Sequence, residues 1–145
     1  MSDGASSLIL MSRDKAKALG LKPLFSLLGY CSVGVENAYM GDGPGVAIPK
    51  ALTKAGMNLN DIDLIEVNEA FACQIIANER VLGWDRSKFN IHGGAIALGH
   101  PTGESGVRIL VTLYHALKRM DKEFGIASIC GGTGVACAMI IKREN

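Results

Sequence analysis

Apolar residues along the chain form short blocks separated by polar and glycine-rich stretches, and five of these blocks have the length of a β-strand. The block IDLIEV is apolar enough for a strand buried in a sheet. Only four residues, GGTG, separate the last two blocks, which favours a hairpin between them. The pattern predicts strands over residues 5–11, 23–35, 62–67, 125–130 and 135–141.

Two longer segments repeat apolar residues at helical spacing. Residues 107–120 follow the i, i+3, i+4 rule of an amphipathic helix. Residues 68–82 predict a second helix, with Asn68 as its N-cap. The apolar face of this second helix is predicted to consist of Phe71, Ile75, Ile76 and Leu82.

Two further helices are predicted from their end signals. Ser12 suits the N-cap of a short helix that runs to residue 19 and stops at Gly20. Residues 46–55 form the other, with Gly56 after its last turn. Pro49 is tolerable there only if it lies in the first turn. Residues 89–103 are predicted to be a glycine-rich loop.

Strands that alternate with helices define an α/β fold. The 145 residues suit one domain, covering 1–145. We expect a mixed five-stranded sheet with helices on both faces.

Composition and charge exclude several classes of protein. Lys and Arg number 15 against 14 Asp and Glu, so the formal charge is +1, which argues against a nucleic-acid or polybasic membrane surface. No apolar run reaches the roughly 20 residues that span a bilayer, and the first residues lack a signal-peptide pattern. The four cysteines show no C-x-x-C pair, so we expect a reducing compartment, the cytoplasm, and no metal site.

Three stretches at predicted strand ends could carry chemistry, because open α/β sheets usually build their sites there. In the first, Asn68 is either a helix N-cap, the more frequent case, or an amide that holds a substrate oxygen or a water. On the N-cap interpretation, Glu69 is favoured by the dipole of the helix that follows.

The second stretch is GGAIALGHPTGESG at residues 93–106, in which His100 lies between two glycine-rich segments. Pro101 holds His100 in an extended conformation and so fixes the direction of its ring. A lone histidine is more often structural, but five surrounding glycines favour a site. Such an imidazole could act as a base or donate to an oxyanion.

The third stretch places Cys130 at a strand end before GGTG. The glycine amides could form an oxyanion hole, although a buried cysteine before a tight hairpin is the commoner case. The other three cysteines lie in apolar stretches and are predicted to be small core residues: Cys31, Cys73 and Cys137.

Together these stretches resemble the C-terminal half of the thiolase family. NEAFA at 68–72, GGAIALGHP-x-G-x-S-G at 93–106 and C-x-G-x-G at 130–134 appear in the family's order. Weaker likenesses lie in SDGASSLILMSRDKAKALGLKP and YMGDGPGVAIPKAL, so the resemblance covers nearly the whole chain. It implies a thiolase-like half that acts on acyl-CoA thioesters, with coenzyme A entering as substrate and no cofactor.

The resemblance also implies roles for single residues. His100 matches the histidine that helps activate the nucleophilic cysteine and hold the thioester oxygen, and Asn68 matches the asparagine that positions a water in the same oxyanion hole. Cys130 matches the second catalytic cysteine, an acid/base. The Gly132 amide matches a donor to the acyl-enzyme oxyanion. Two residues match positions that line the substrate channel: Met40 and Phe71.

The chain departs from the family pattern at four positions near these motifs, which bears on acyl-chain preference more than on reaction type. Gly131 replaces a larger residue, Ala136 replaces a glycine, and Thr102 and Glu104 follow the GHP segment. Glu104 is expected in the first turn of the next helix, where the helix dipole favours a carboxylate.

The resemblance implies a larger absence as well. Thiolases carry the nucleophilic cysteine in an N-terminal half and most CoA contacts in a loop domain, and this chain begins after both. We therefore expect half an active site, no turnover by the chain alone, and an exposed apolar face that contacts the missing half. A homo-oligomer is expected for the complete protein.

Three other functions compete with this interpretation. A non-catalytic thiolase-like protein that binds acyl-CoA or lipid would not need His100, Cys130 and Asn68 together. A Cys/His hydrolase lacks a third orienting group. A ketoacyl-synthase relative would use a histidine pair instead of the GHP and C-x-G-x-G segments.

Overall fold

The computed structural model describes residues 2–144, so the two end residues of the expected domain 1–145 lie outside the description. Its sheet has the strand order β1-β4-β3-β2. The strands are β1 (Phe25–Gly34), β2 (Leu64–Val67), β3 (Phe124–Gly131) and β4 (Val135–Arg143). β4 pairs antiparallel with both β1 and β3, while β2 runs parallel to β3. The mixed sheet and the β3–β4 hairpin are confirmed.

The sheet has four strands instead of the five predicted from sequence, because residues 5–11 form no strand. Ile9 and Leu10 are exposed, and β1 and β2 form the two sheet edges. A strand needs a hydrogen-bonded neighbour, and a short run of apolar residues alone does not supply one. That prediction is wrong for the described residues.

Residues 2–144 contain five α-helices, of which the first precedes β1 and the others lie between strands. They are α1 (Arg13–Ala18), α2 (Gly43–Ala55), α3 (Ala72–Leu82), α4 (Ala95–Leu98) and α5 (Ser105–Arg119). Short 3-10 turns cover Asn37–Asp42, Leu59–Asp61, Arg86–Lys88 and Gly132–Gly134. The predicted cap of α1 is confirmed, since the Ser12 hydroxyl accepts from the Lys15 amide at 3.2 Å.

α2 and α5 cover opposite faces of the sheet, as predicted. The α2 face buries Ile48 against Ile126 and Ile140, and the α5 face buries Leu113 and Leu117 against Ile141. Ile140 and Ile141 are neighbours on β4 and point to opposite faces, which is the period-two rule of a strand buried on both sides. This double cover fixes the strand ends that carry the candidate site.

α2 begins at Gly43 and not at residue 46, so Pro49 lies inside the helix and not in its first turn. The prediction for Pro49 is therefore wrong. Gly56 ends the helix in the left-handed region at φ +66°, as its sequence position indicated.

α3 begins at Ala72, four positions after the predicted cap. Its buried residues are Gln74 and Asn78, while Phe71 and Ile76 of the predicted apolar face are exposed. α3 buries Asn78 because its side-chain amide forms hydrogen bonds there: it donates to the carbonyls of Gly41 and Gln74, both at 2.7 Å. Buried backbone groups of a neighbouring turn need such partners.

An apolar surface lies along β1 and the segment before it. A groove of about 670 Å³ is lined there by residues of the N-terminal segment and the start of β1. Its exposed large side chains include Ile9, Leu10, Leu21, Leu24 and Leu27. The structure thus has the exposed apolar face that the sequence analysis expected. Within residues 2–144, no helix is both long and apolar enough to cross a bilayer.

Candidate active site

The three candidate stretches meet at one end of the sheet. A cleft of about 520 Å³ opens beside the end of β3 and the start of β4. Five of the six residues singled out from the sequence line this cleft: Met40, Phe71, His100, Cys130 and Gly132. The sixth, Asn68, is buried and contacts His100.

Asn68 directly follows β2 and continues its pairing, since its amide donates to the Ser128 carbonyl at 2.9 Å. It does not cap α3, which Phe71 precedes, so the capping interpretation is wrong. The side-chain Nδ2 lies 3.4 Å from His100 Nε2. The side-chain Oδ1 is buried and accepts no hydrogen bond from a described residue. The side chain is thus available to a polar group in the site.

The His100 ring is held from its other side by Ser105. His100 Nδ1 lies 2.7 Å from Ser105 Oγ, and the Ser105 hydroxyl donates to the Pro101 carbonyl at 3.1 Å. The hydroxyl has only one proton, so in this arrangement it accepts from Nδ1–H. His100 Nε2 then carries the lone pair and faces Asn68 as an acceptor.

Cys130 lies at the end of β3 with 4% of its surface exposed. Burial raises the pKa of its thiol, so the group is protonated at neutral pH. The turn after it, Gly132–Gly134, places Thr133 in the left-handed region at φ +67°. This turn brings the backbone of Gly132 to the cleft wall.

Met40 and Phe71 line the cleft from different segments. Met40 belongs to the 3-10 turn Asn37–Asp42 and packs partly against the core. Phe71 is 60% exposed. Both are therefore apolar side chains at the cleft that a bound ligand could cover.

Several residues that build the site were not singled out from the sequence. Ser105 belongs to a motif that was noted, but the contact of its hydroxyl with His100 depends on the turn before α5. Asn90 bonds both backbone groups of Val67, at 2.9 and 3.0 Å, from a left-handed position at φ +40°. The one sequence signal for this role is that asparagine adopts the left-handed conformation more readily than most residues.

The sequence analysis offered a favourable interaction between Glu69 and the dipole of α3, but Glu69 lies three residues before that helix begins. Its carboxylate accepts from the side chain of Asn90 and from the amide of Ile96, both at 2.9 Å. The acid therefore supports the loop before His100.

A buried acid, Glu66, lies on β2 two residues before Asn68. Burial, with a smaller contribution from the nearby charge of Glu69, raises its pKa to about 8 against the opposing charge of Arg108. The group is thus mostly protonated at neutral pH, which avoids a second negative charge at the end of β2.

The four departures from the family pattern have distinct surroundings. A Cβ at Gly131 would lie 2.9 Å from Val135 Cγ2, and both residues line the cleft. Ala136 is buried against Gly43. Thr102 is exposed at the cleft. Glu104 lies just before α5 and not in its first turn; it is buried, with Oε2 at 3.7 Å from Arg108 Nε.

No group of three or more metal-binding side chains occurs among the residues described.

Comparison with known proteins gives one consistent result. The family model "Thiolase, C-terminal domain" matches residues 21–143. An acetyl-CoA acetyltransferase of Escherichia coli is 53% identical over all of this chain, which spans 37% of that relative's length. A probable acetyl-CoA acetyltransferase of Dictyostelium discoideum is 48% identical over 99% of the chain and 34% of its own length.

Solved structures agree with these relatives. The human mitochondrial 3-ketoacyl-CoA thiolase superposes with a TM-score of 0.90 at 48% identity, covering 92% of this chain and 34% of that one. The Bacillus anthracis acetyl-CoA acetyltransferase has the same TM-score, identity and coverage. The chain belongs to the thiolase family and corresponds to its C-terminal domain. It spans little more than a third of the length of the curated relatives it matches.

Proposed function

We propose that this chain supplies one half of a thiolase active site, which transfers acyl groups between coenzyme A thioesters. The observation that carries the proposal is the convergence of His100, Asn68 and Cys130 at one cleft. The reaction is thiolysis of a 3-ketoacyl-CoA or, in reverse, Claisen condensation of acetyl-CoA. The thioester is itself the substrate, so the reaction requires no metal and no organic cofactor.

His100 acts first as a base and then as a donor. Its Nε2 lone pair takes the proton of the nucleophilic thiol, and Nδ1–H remains bonded to Ser105. The protonated Nε2 then donates to the thioester oxygen on which negative charge develops.

Asn68 and Gly132 complete the oxyanion sites. The Asn68 side chain lies beside His100 Nε2 and holds a water that donates to the same oxygen. The backbone amide of Gly132, at the cleft wall, donates to the oxygen of the acyl-enzyme.

Cys130 supplies the proton that thiolysis needs. Attack of the nucleophilic sulfur on the 3-keto carbon breaks the C–C bond, and the electron pair goes to the α-carbon of acetyl-CoA as an enolate. The Cys130 thiol protonates that carbon and becomes a thiolate. This thiolate takes the proton of free coenzyme A as the coenzyme A sulfur attacks the acyl-enzyme, so the acyl group moves to coenzyme A and the nucleophilic sulfur is released. Burial keeps the thiol protonated, which suits this acid step.

The nucleophile and most coenzyme A contacts are assigned to an N-terminal thiolase part that pairs with this chain. The exposed apolar surface along β1 supports such a partner, because an uncovered apolar face of this kind typically marks an interface. Met40 and Phe71 would line the acyl and pantetheine ends of the channel. We further propose that the complete protein is a homo-oligomer of the cytoplasm, where its four free cysteines stay reduced.

A chimera tests this proposal. Residues 1–145 would replace the aligned part of the Escherichia coli relative, and thiolysis of acetoacetyl-CoA would be measured. We expect activity in the chimera and its loss on His100→Ala or Cys130→Ala. The matched control is His115→Ala, which changes an exposed histidine on α5. A folded chimera without activity, or one indifferent to His100→Ala, would overturn the proposal.

A further inference from the structure

Glu69 joins two segments that carry different parts of the site. Its Oε1 accepts from Asn90 Nδ2 and its Oε2 from the backbone amide of Ile96, each at 2.9 Å. Ile96 belongs to α4, which ends two residues before His100. The carboxylate that follows Asn68 in the chain thus bonds directly to the segment leading into His100.

Gly94 leaves the space that this contact requires. A Cβ built on Gly94 would overlap the carboxyl group of Glu69. The backbone of the loop therefore packs directly against the acid, and any larger residue at position 94 would displace the Glu69 carboxyl group from its two partners.

Asn90 fastens the other end of this contact to β2. Its backbone amide donates to the Ile65 carbonyl at 2.9 Å, and its side chain bonds both backbone groups of Val67. Asn90 is therefore bonded along β2, and Glu69 bonds to a residue that is held to the strand leading into Asn68.

The segment between Ile96 and His100 has little freedom to absorb a shift. The Gly99 amide donates to the Ala95 carbonyl at 2.8 Å, and Arg108 Nη2 donates to the Gly99 carbonyl at 2.9 Å. A displacement of Ile96 would therefore be passed on to the His100 ring.

We propose that Glu69 is a positioning residue that sets the separation of Asn68 and His100 through its contacts with Asn90, Gly94 and Ile96. The proposal rests on the proposed function for its kinetic consequence, but its structural content is independent of any activity. A displacement of about 1 Å in a catalytic group can cost on the order of 100-fold in rate.

The kinetic test uses the chimera and two variants that disturb the same contact. Glu69→Gln replaces one acceptor oxygen by an NH₂ group that faces a donor, and Gly94→Ala inserts a methyl group. We expect kcat to fall about 10- to 100-fold in each, with KM for acetoacetyl-CoA changed by less than about twofold. The double variant should lose about as much kcat as the more damaging single variant and not the product of the two losses, because both changes break one contact.

Glu79→Gln is the matched control, since it makes the same chemical change at an exposed pair with Arg86. It should leave kcat unchanged. Wild-type kcat in Glu69→Gln, or a loss that only follows the folded fraction, would overturn the positioning role.

An NMR measurement on the unfused chain separates this proposal from the proposed function. The side-chain amide resonances of Asn68 and the ring resonances of His100 should both shift in Glu69→Gln and Gly94→Ala but not in Glu79→Gln. Unchanged resonances would overturn the positioning role even if the enzyme is active. Shifted resonances would support it even in an inactive chimera.

Discussion

The Nε2 atom of His100 lies 3.4 Å from the Nδ2 atom of Asn68, although the two residues are 32 positions apart in the chain. This distance is long for a hydrogen bond, so neither group is fully engaged by the other. Both therefore keep the capacity to bind a third polar atom, such as a thioester oxygen or a water. The contacts behind each residue determine whether that capacity is directed at one point.

Ser105 is the contact behind His100, and its removal should weaken the ring's orientation. Ser105→Ala in the chimera should lower kcat roughly fivefold, the equivalent of one hydrogen bond of about 1 kcal/mol. The pH profile of kcat should also shift, because Nδ1–H loses its acceptor. Steady-state kinetics across pH measure both effects.

Ser128→Ala is the control for that substitution. Ser128 is equally buried, but its hydroxyl donates to the Cys137 carbonyl at 2.8 Å, away from His100. A Ser105→Ala profile that matches the Ser128→Ala profile would show that Ser105 does not orient the ring.

Glu66 should make the stability of the chain depend on pH. Its pKa is about 8 in the folded chain against an ordinary value of 4.5, so the folded state favours the protonated acid. The stabilisation that this gives is complete below about pH 4.5 and is lost as pH rises to about 8. Glu66→Gln cannot ionise, so it should become the more stable form by pH 8, by on the order of 4 kcal/mol.

Urea unfolding of both forms between pH 5 and pH 8.5 measures this difference. Glu36→Gln, at an exposed position, should show no such trend. A constant difference between wild type and Glu66→Gln across this range would show that Glu66 is charged throughout.

Gly43 packs so closely against Ala136 that a side chain at position 43 has no room. A Cβ on Gly43 would lie 2.5 Å from the Cβ of Ala136. Gly43→Ala should therefore destabilise the chain by about 1–3 kcal/mol through overpacking. Ala136→Gly removes the opposing methyl group, so the double variant should recover most of that loss. Denaturation midpoints of the four forms complete the cycle, and additive losses would contradict it.

Asn78 should be essential to the α3 packing. Asn78→Ala leaves the Gly41 carbonyl and the Gly45 amide without their side-chain partner. Unpaired buried groups cost about 1–3 kcal/mol each, so we expect a loss of at least about 2 kcal/mol. Thermal unfolding measures it, with Asn60→Ala on the surface as control.

Hydrophobic periodicity predicted the elements whose cores are purely apolar. The long helix α5 and the β3–β4 hairpin follow their predicted patterns because Leu113, Leu117 and Ile140 satisfy a simple burial rule. For α3 the rule held only in part: Ile75 and Leu82 pack against the core, but Phe71 and Ile76 are exposed, and the fully buried residues are Gln74 and Asn78. Periodicity cannot anticipate polar side chains that satisfy backbone groups of a distant turn.

The candidate site divides in the same way. The motifs indicated Asn68, His100 and Cys130, and the fold brings them together. The supporting residues Glu69 and Asn90 could not be assigned, because they bond to the backbone of Ile96 in α4 and of Val67 in β2, and no sequence spacing encodes those contacts. Residues 5–11 show the opposite error, since their apolar block predicts a strand but no neighbouring strand pairs with them.

Complementation by separate polypeptides tests the central claim most directly. The chain would be assayed for acetoacetyl-CoA thiolysis alone and after co-expression with the N-terminal part of the Escherichia coli relative. We predict activity only in the combined sample, and its loss there with Cys130→Ala. Thiolysis by the chain alone, above that of its Cys130→Ala variant, would contradict the claim that it supplies half a site without the nucleophile.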